Sequence, residues 1–589
     1  MPGLLATLNS FLVPAFDALQ PGATPGVRHS TRADLQADGA LALARSLRRP
    51  PGDVARDVVA RALGAGRGSP SLEEACEKVE VAGPGFINLT LRADWLALSL
   101  RSMAADPARL GASPAARQRK VVVDYASPNA AKQMHVGHLR STIIGDCLAR
   151  LLNFAGHSVV RENHIGDWGT PFGMLIEHLV DIGEDEGAHE LAVGDLELFY
   201  QHARAAYDSD AAFADRARAR VVALQSGDVE TLRLWRILVE QSIDYFDGAF
   251  RRLGTTLRRD DVVGESSYEA LLPGVVSSLG AKGLLVENAG ALCVFPPGYF
   301  NREGQPLPLI VQKSDGGYTY AATDLAAVRD RVERQRAELL VYVVGLPQSR
   351  HLEMVFSVAR LAGWLPPGTE AVHVGFGNVL GPDGKMFRSR EAREGGTVKL
   401  VALLDEAEQR AAAVISGRGE MDPLAPEERE GVARAVGVGA VKYADLSTDR
   451  IRDYRFDWDR MLAFDGNTGP YLQYAHARIR SIFRRARLDP LLLPKAIMAP
   501  GEREERQLAK RLLSFGDAVD AGLQEYAPHK LCSYLFELAS SFTDFYENCP
   551  VLRAPSDALR SSRLGLCAVA GQVLEKGLSL LGIEAPERM

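Results

Sequence analysis

Several features that would assign a chain to a special compartment or scaffold are missing here. Only six cysteines occur in 589 residues, Cys76, Cys147, Cys293, Cys532, Cys549 and Cys567, with no Cys-x-x-Cys pair and no histidine cluster beside them. That scatter excludes a disulfide-stapled fold and offers no zinc framework; it reads as reduced, mostly buried thiols of a cytosolic protein. No uninterrupted apolar run is long enough to cross a bilayer, and the opening MPGLLATLNSFLVPAFDAL has neither a charged leader nor a small-residue cleavage site. The expectation is a soluble, unexported, cytoplasmic protein with no membrane partner. Charge of neither sign dominates: 68 Lys and Arg against 75 Asp and Glu leave a net charge of −7, which argues against a general polyanion coat but not against a local basic face. Internal repeats and low-complexity tracts are absent too, and 46% hydrophobic with 24% charged residues is an ordinary globular balance, so a disordered or collagen-like chain is excluded. At roughly 100–200 residues per domain, the length holds about three to five domains.

What is present changes texture along the chain. Residues 1–110 carry short apolar runs such as VEVAGPGFINLTL and DWLALSLRSMAA, followed by the polar stretch DPARLGASPAARQRK; a small α+β domain and a linker are expected. At Val121 a β-branched strand, VVVDYASPN, leads through polar turn residues into the helical pattern HVGHLRSTIIGDCLARLLNFAG. Strand, polar loop and helix N-terminus in succession is how a doubly wound nucleotide site begins. HSVVRENHIGDWG and LLVYVVG repeat the strand-then-glycine texture, so 118–432 reads as one α/β domain, split by a helical insertion at about 172–262. From 433 to 589 strands vanish and apolar residues recur at helical spacing, as in YLQYAHARIRSIF and KLCSYLFELASSFTDFY, which predicts a helical bundle.

The segment SPNAAKQMHVGHLRSTIIGD carries the most chemistry. His135 and His138 lie three apart, so a helix starting near Met134 places both imidazoles on its first-turn face, beside unpaired backbone N–H groups. That place suits a phosphate, and two imidazole donors there stabilise charge growing on a transferring phosphoryl group. Gly137 between them lets a flat base or ribose approach the helix closely. A bare H-x-G-H also fits a helix whose histidines merely face solvent; the strand and loop before it favour the ligand reading.

HVGH at such a junction resembles the first signature of the class I aminoacyl-tRNA synthetases. The longer frame SPNAAK-x-x-H-x-G-H with HIGDWGTPFG resembles the arginyl-tRNA synthetases in particular, and AGPGFINL, DGGYTYAATDLA, DGKMFRSREAREGGTVKL, GNTGPYLQYAHAR and LGIEAPERM have counterparts in the same order. The resemblance implies a Rossmann-type catalytic domain, a small tRNA-contacting N-terminal domain and an all-α anticodon-binding C-terminal domain. It implies an arginine–tRNA ligase acting as a monomer on L-arginine, ATP with Mg2+, and tRNA(Arg), with no zinc or organic cofactor. Lys385-Met386-Phe387-Arg388-Ser389 stands where the family's Lys-Met-Ser-Lys-Ser loop closes over ATP, so Lys385, Met386 and Arg388 are expected at the nucleotide. Phe387 replaces the first serine and Arg388 the second lysine, and guanidinium and ammonium are not equivalent phosphate ligands. The resemblance then shifts weight to Lys132, and the run EARE before GGT is longer than the family's usual spacing.

Choosing arginine needs acceptors for a planar, always charged group with five donors. Tyr320 and Asp324 are four apart in what reads as a helix start, so both can share one face. The resemblance points to the same pair and adds Glu265, with Ser127, Asn129 and Gln348 at the α-amino end. On the RNA side, RIRSIFRRAR holds five arginines from Arg478 to Arg487 and no acid, near Tyr471 and Tyr474; aromatic rings stack unpaired bases while arginines hold phosphates. The resemblance adds Tyr546 and Met589 to the anticodon face, and Phe86 and Asn88 to the tRNA elbow, while Pro550 stands where some relatives carry a ring. Core packing is the rival for Tyr546, and a plain buried strand for FINL. Two other functions stay open at this point: an adenylyl-transferring enzyme for another small acid, and a non-catalytic RNA-binding relative.

Overall fold

Val121, Val122 and Val123, three β-branched residues in succession, form the centre of the strand Lys120–Asp124, buried on both faces as the inner strand of a parallel sheet must be. The sheet has five parallel strands, ordered in space Glu370–His373, Leu339–Tyr342, Lys120–Asp124, Ser158–Ile165, Val262–Gly264. In chain order this is 5-4-1-2-3, so the winding reverses between Lys120–Asp124 and Leu339–Tyr342, and a crevice opens at their carboxyl ends. The helix Val136–Phe154 makes the first crossover. A computed structural model describes residues 2–64, 71–183, 196–381, 383–385, 387, 398–417, 424–490 and 494–589 of the chain.

Between the second and third strands run the helices Thr170–Ile182, Leu196–Ser209, Ala211–Ser226 and Val229–Leu253, the helical insertion that the sequence predicts. The longest is delimited by its own residues: Asp228 accepts from Thr231 N at 2.9 Å at the start, and Gly254 closes it at φ +64°. Between the third and fourth strands the structure holds an element that periodicity did not reveal, an antiparallel sheet of Val286–Asn288, Ala291–Val294 and Leu309–Gln312. Its strands are three to four residues long, too short to register as alternation.

The N-terminal region is α+β, with an antiparallel sheet ordered Val27–His29, Leu35–Ala37, Phe86–Leu91, Cys76–Ala82. FINLTL alternates strictly, with Ile87, Leu89 and Leu91 inward. The C-terminal part is built from helices, among them Gly469–Ala486, Arg503–Leu513, Phe515–Gln524, Pro528–Asn548 and Asp557–Leu580. Two details differ from the sequence reading. Position 433 falls inside a continuous helix, Pro426–Leu446, and beyond it a two-residue strand, Tyr454–Arg455, pairs in parallel with Val379–Leu380. The first and last regions touch: Asp517 accepts from Leu5 N and Ala6 N at 2.9 and 3.0 Å, capping the helix Leu4–Asp17 from the far end of the sequence, and Lys510 and Arg506 hold Asp34. Among the described residues, no helix is long and apolar enough to cross a membrane.

Candidate active site and RNA-binding face

The loop from Tyr125 to Met134, leaving the carboxyl end of the first strand, is wound tightly. Ala126, Ser127 and Ala131 all take positive φ, +74°, +48° and +58°, a conformation that persists only where its surroundings hold it. Ser127 N donates to Asn163 at 3.0 Å, its hydroxyl donates to Asp124 at 3.2 Å, and Ala131 N donates to Ser242 of the insertion at 2.8 Å. Asn129 pairs with Gly166 of the loop after the second strand. A Cβ on Gly166 would sit 2.2 Å from the Asn129 side-chain oxygen, so the glycine is what lets the two loops close.

His135 is the N-cap of the next helix rather than a residue inside it. Its Nδ1 accepts from Gly137 N at 3.0 Å, while His138 Nδ1 accepts from His135 N at 3.1 Å. The expectation that both rings stand beside empty first-turn donors is therefore corrected, because the rings themselves take two of those donors. The consequence for chemistry is sharper than the sequence reading: a neutral imidazole accepting at Nδ1 carries its proton on Nε2. The rings lie 4.1 Å apart between centroids. Burial first, then the neighbouring His135, lowers the His138 pKa to about 4, so it is neutral at physiological pH. Gly137 has a local reason as well, since a Cβ there would lie 2.6 Å from His135 Cε1 and block the cap.

Lys132 turns toward the insertion, its Nζ 4.4 Å from the centroid of the Tyr200 ring, a cation–π partner to which no residue spacing points. The Lys385 region begins at a turn: Gly381 N donates to Lys385 O at 2.7 Å and Lys385 N to Asp383 at 3.1 Å, leaving the Lys385 side chain exposed. Phe387 N donates to Val379 O at 3.1 Å, and its ring stacks on Phe456 at 4.7 Å. Met386 and Arg388 lie outside the described residues. Downstream, Val136 N donates to Val398 O at 3.0 Å and Leu400 N to Met134 O at 2.9 Å, so the segment after the loop is paired directly with HVGH.

Opposite, the helix Tyr320–Glu333 begins at the same carboxyl edge, with Tyr320 exposed and Asp324 one turn on. Asp324 is already engaged by His351 Nε2 at 2.6 Å, and that bond raises the His351 pKa. Glu265 follows the third strand; burial, relieved in part by His164 and augmented by Asp167 and Asp324, pushes its carboxyl up to about 7. Gln348 is exposed at the start of the helix Ser349–Leu361. Beneath them, burial would raise Asp124, but Arg331 at 2.7 Å and His164 hold it ionised. Sequence reasoning missed His351, His164 and Asp167. HIGDWG and QSRH stood in the right loops, but nothing in their spacing assigns a partner.

On the helical face, Arg478 and Tyr546 come together from two helices, with the guanidinium 4.7 Å from the ring centroid, while Tyr546 also stacks on Phe542 at 6.0 Å. Tyr471 packs on Phe536 at 5.8 Å and Tyr474 meets Phe464 edge-on at 6.2 Å, all half-buried. Met589 packs against the core. The run of five arginines is not all available: Arg480 pairs with the Glu587 carboxylate at 2.6 Å and Arg484 donates to Glu587 O at 2.8 Å. Phe86 and Asn88 share the outer, half-exposed face of their strand, and Asn88 accepts from Gln36 at 2.7 Å.

A five-stranded 5-4-1-2-3 sheet with a histidine pair at its switch point, and the segment that follows the Lys385 loop paired to the start of the same helix, is the catalytic framework of a class I aminoacyl-tRNA synthetase. The family model described as "tRNA synthetases class I (R), catalytic domain" matches residues 102–458, "DALR anticodon binding domain" matches 472–589, and "Arginyl tRNA synthetase N terminal domain" matches 17–91. An arginine–tRNA ligase of Thermobifida fusca is 53% identical over 587 residues, covering 100% of this chain and 99% of that one. That of Cutibacterium acnes is 47% identical over 600 residues, with all of both chains covered. Among solved structures, the arginyl-tRNA synthetase of Thermus thermophilus superposes with a TM-score of 0.82 at 27% identity, covering 100% of both chains. The chain belongs to the class I arginyl-tRNA synthetases and is an arginine–tRNA ligase.

Proposed function

We propose that the ligase reaction is divided among these residues as follows. Arginine lies across the carboxyl edge of the sheet, its guanidinium between Asp324 and Glu265 with Tyr320 closing one side, and its α-amino end toward Ser127, Asn129 and Gln348. The observation that carries the reading is the reciprocal histidine cap: two rings 4.1 Å apart, each accepting a backbone N–H at Nδ1, which leaves Nε2 of each as the donor at the mouth of the switch point. ATP is taken as its magnesium complex; a small cation that keeps its waters and substrate phosphates needs few protein ligands. The arginine carboxylate displaces pyrophosphate from the α-phosphate, forming arginyl-adenylate. His135 and His138 donate to the oxygens on which charge grows, and Lys132, Lys385 and Arg388 offset charge on the phosphates. The 2′-hydroxyl of the terminal adenosine of tRNA(Arg) then displaces AMP.

In this reading residues 1–110 contact the tRNA elbow through Phe86 and Asn88. Residues 433–589 receive the anticodon on Tyr471, Tyr474, Arg478, Tyr546 and Met589, and 118–432 is catalytic. The enzyme works as a cytoplasmic monomer, and arginine activation waits for bound tRNA. The test is arginine-dependent ATP–pyrophosphate exchange, with the other amino acids as controls and with or without tRNA. Exchange with arginine alone, and only when tRNA is present, is expected. Exchange with another amino acid would overturn the pocket, and exchange without tRNA would overturn the coupling.

A further inference from the structure

The helix Val136–Phe154 has chemistry at its first turn, and its other half is clamped by three separate parts of the chain. Asp146 accepts from Thr256, just beyond the insertion, through both N and Oγ1. Arg150 bonds Asp146 at 2.7 Å and donates to Gly254 O at 3.0 Å and to Ser579 O at 3.4 Å. Lys442 lies in the middle, 1% exposed on the helix Pro426–Leu446, its ammonium donating to Gly582 O at 2.5 Å and reaching Gly254 O at 3.5 Å. Burial lowers its pKa to about 8, with Asp146 opposing that shift. A buried ammonium without acceptors is strongly unfavourable. These two carbonyls come from different segments, and both reach Lys442 only when the insertion and the C-terminal turn are seated together.

The turn at Gly582 is also the root of the tail that straps the proposed anticodon face. Gln473 donates to Glu584 O at 2.8 Å and to Ala435 O at 2.9 Å, His476 meets Pro586 O at 3.1 Å, and Arg480 and Arg484 hold Glu587. The helix bearing Lys442 grips the catalytic helix a second time through Asp445, buried with Arg140, two residues beyond His138. Arg140 further donates to Arg452 O at 3.0 Å, beside the strand that supports Val379–Leu380 and the Lys385 turn. A physical connection therefore runs from the tail, through Lys442 and its helix, to both catalytic signatures.

We propose that Lys442 is a positioning residue that makes arginine activation respond to tRNA, by requiring the C-terminal tail, the end of the insertion and the catalytic helix to share one arrangement. The proposal rests on the reading that the helical C-terminal part receives the anticodon and that activation waits for tRNA. It touches no reacting atom, so its signature is a split in kinetics. Two variants approach the junction from opposite sides: Lys442→Met keeps the length without the charge, and Gly582→Ala places a methyl 3.1 Å from Lys442 Nζ and from Asp146 Oδ2 at a φ of +69°.

The experiment is ATP–pyrophosphate exchange on the full chain across a tRNA(Arg) titration, with tRNA affinity measured separately by fluorescence anisotropy and folding by thermal melting. The expected result is a loss of tenfold or more in kcat at saturating tRNA. Arginine and ATP KM and the tRNA Kd should stay within about threefold of wild type, a tenfold rate loss corresponding to about 1.4 kcal/mol. Unchanged kcat in both variants overturns the proposal, as does a loss explained by weaker tRNA binding or by the unfolded fraction. If Lys442→Met does not fold, Gly582→Ala decides alone. A wild-type chain that exchanges fully without tRNA overturns the coupled reading itself, which is distinct from a coupled wild type with equally coupled variants.

Discussion

Arginine binding should depend on pH through Glu265. Burial raises this carboxyl to about 7, with Asp167 and Asp324 adding repulsion and His164 opposing. A guanidinium set against it favours the ionised form, so binding lowers the pKa and releases the proton held before. The sign follows: above pH 7 Glu265 is already ionised and affinity is at its plateau, while below 7 arginine competes with a proton. For one such group the apparent Kd scales as one plus ten to the power of the pKa less the pH, about 11-fold weaker at pH 6 than at the plateau and about 1.1-fold at pH 8. Protonation of His351, which tightens its hold on Asp324, adds in the same direction. Calorimetric titration of arginine in buffers of different ionisation heat measures the proton directly, and about half a proton per arginine should leave at pH 7. Glu265→Gln should remove the Glu265 share of that release and flatten most of the affinity profile, leaving only the smaller slope and proton release due to His351. A wild-type Kd constant from pH 6 to 8 with no proton released would refute the assignment of Glu265 to the guanidinium.

Other perturbations separate the parts. His138→Ala should cut adenylate formation by about 10²–10³ while leaving arginine KM near normal, as read by exchange at saturating substrates; unchanged activity would reject its donor role. Asp324→Asn should raise arginine KM by about 30-fold or more, the scale of removing one partner of a desolvated charge pair, and normal arginine kinetics would displace the pocket. Phe387→Ser should raise the ATP KM and leave the arginine KM alone, because the lost stack on Phe456 anchors the turn carrying Lys385; equal changes in both would mean a global effect. Asp445→Asn leaves Arg140 buried without its charge partner and should destabilise the fold by about 3–5 kcal/mol, seen as a lowered melting temperature.

The features legible in the sequence were those with local grammar. VVVDYASPN ending in a polar turn before HVGH is a strand–loop–helix unit whatever surrounds it, and the spacing from Tyr320 to Asp324 is one helical turn in any context. What could not be read was pairing across distance. His351 meets Asp324 from 27 residues away and Lys132 meets Tyr200 across the insertion, and neither partner is specified by periodicity. The histidine cap was illegible for another reason: a side chain that bends back onto its own backbone leaves the same sequence pattern as one facing solvent. The five arginines misled in the opposite sense, since a run of one charge looks uniform although the tail's Glu587 takes two of them.

The same division bears on the unusual loop. As sequence, the extra residues of EARE and the missing second lysine weaken its match to a nucleotide-closing loop. In the fold both flanks are fixed by long-range contacts: Phe387 by Val379 and Phe456 before it, and Val398 and Leu400 by Val136 and Met134 after it. Closure entropy rises slowly with length, doubling a flexible loop adding only about 0.6 kcal/mol, so the added residues are expected to matter little. On the proposed role of Arg388 at the triphosphate, its replacement of lysine is the departure expected to have the larger consequence. Removing EARE should change the exchange rate less than twofold, whereas Arg388→Ala should lower it by tenfold or more. The reverse ranking would mean that the loop's length, and not its second cation, governs how the triphosphate is held.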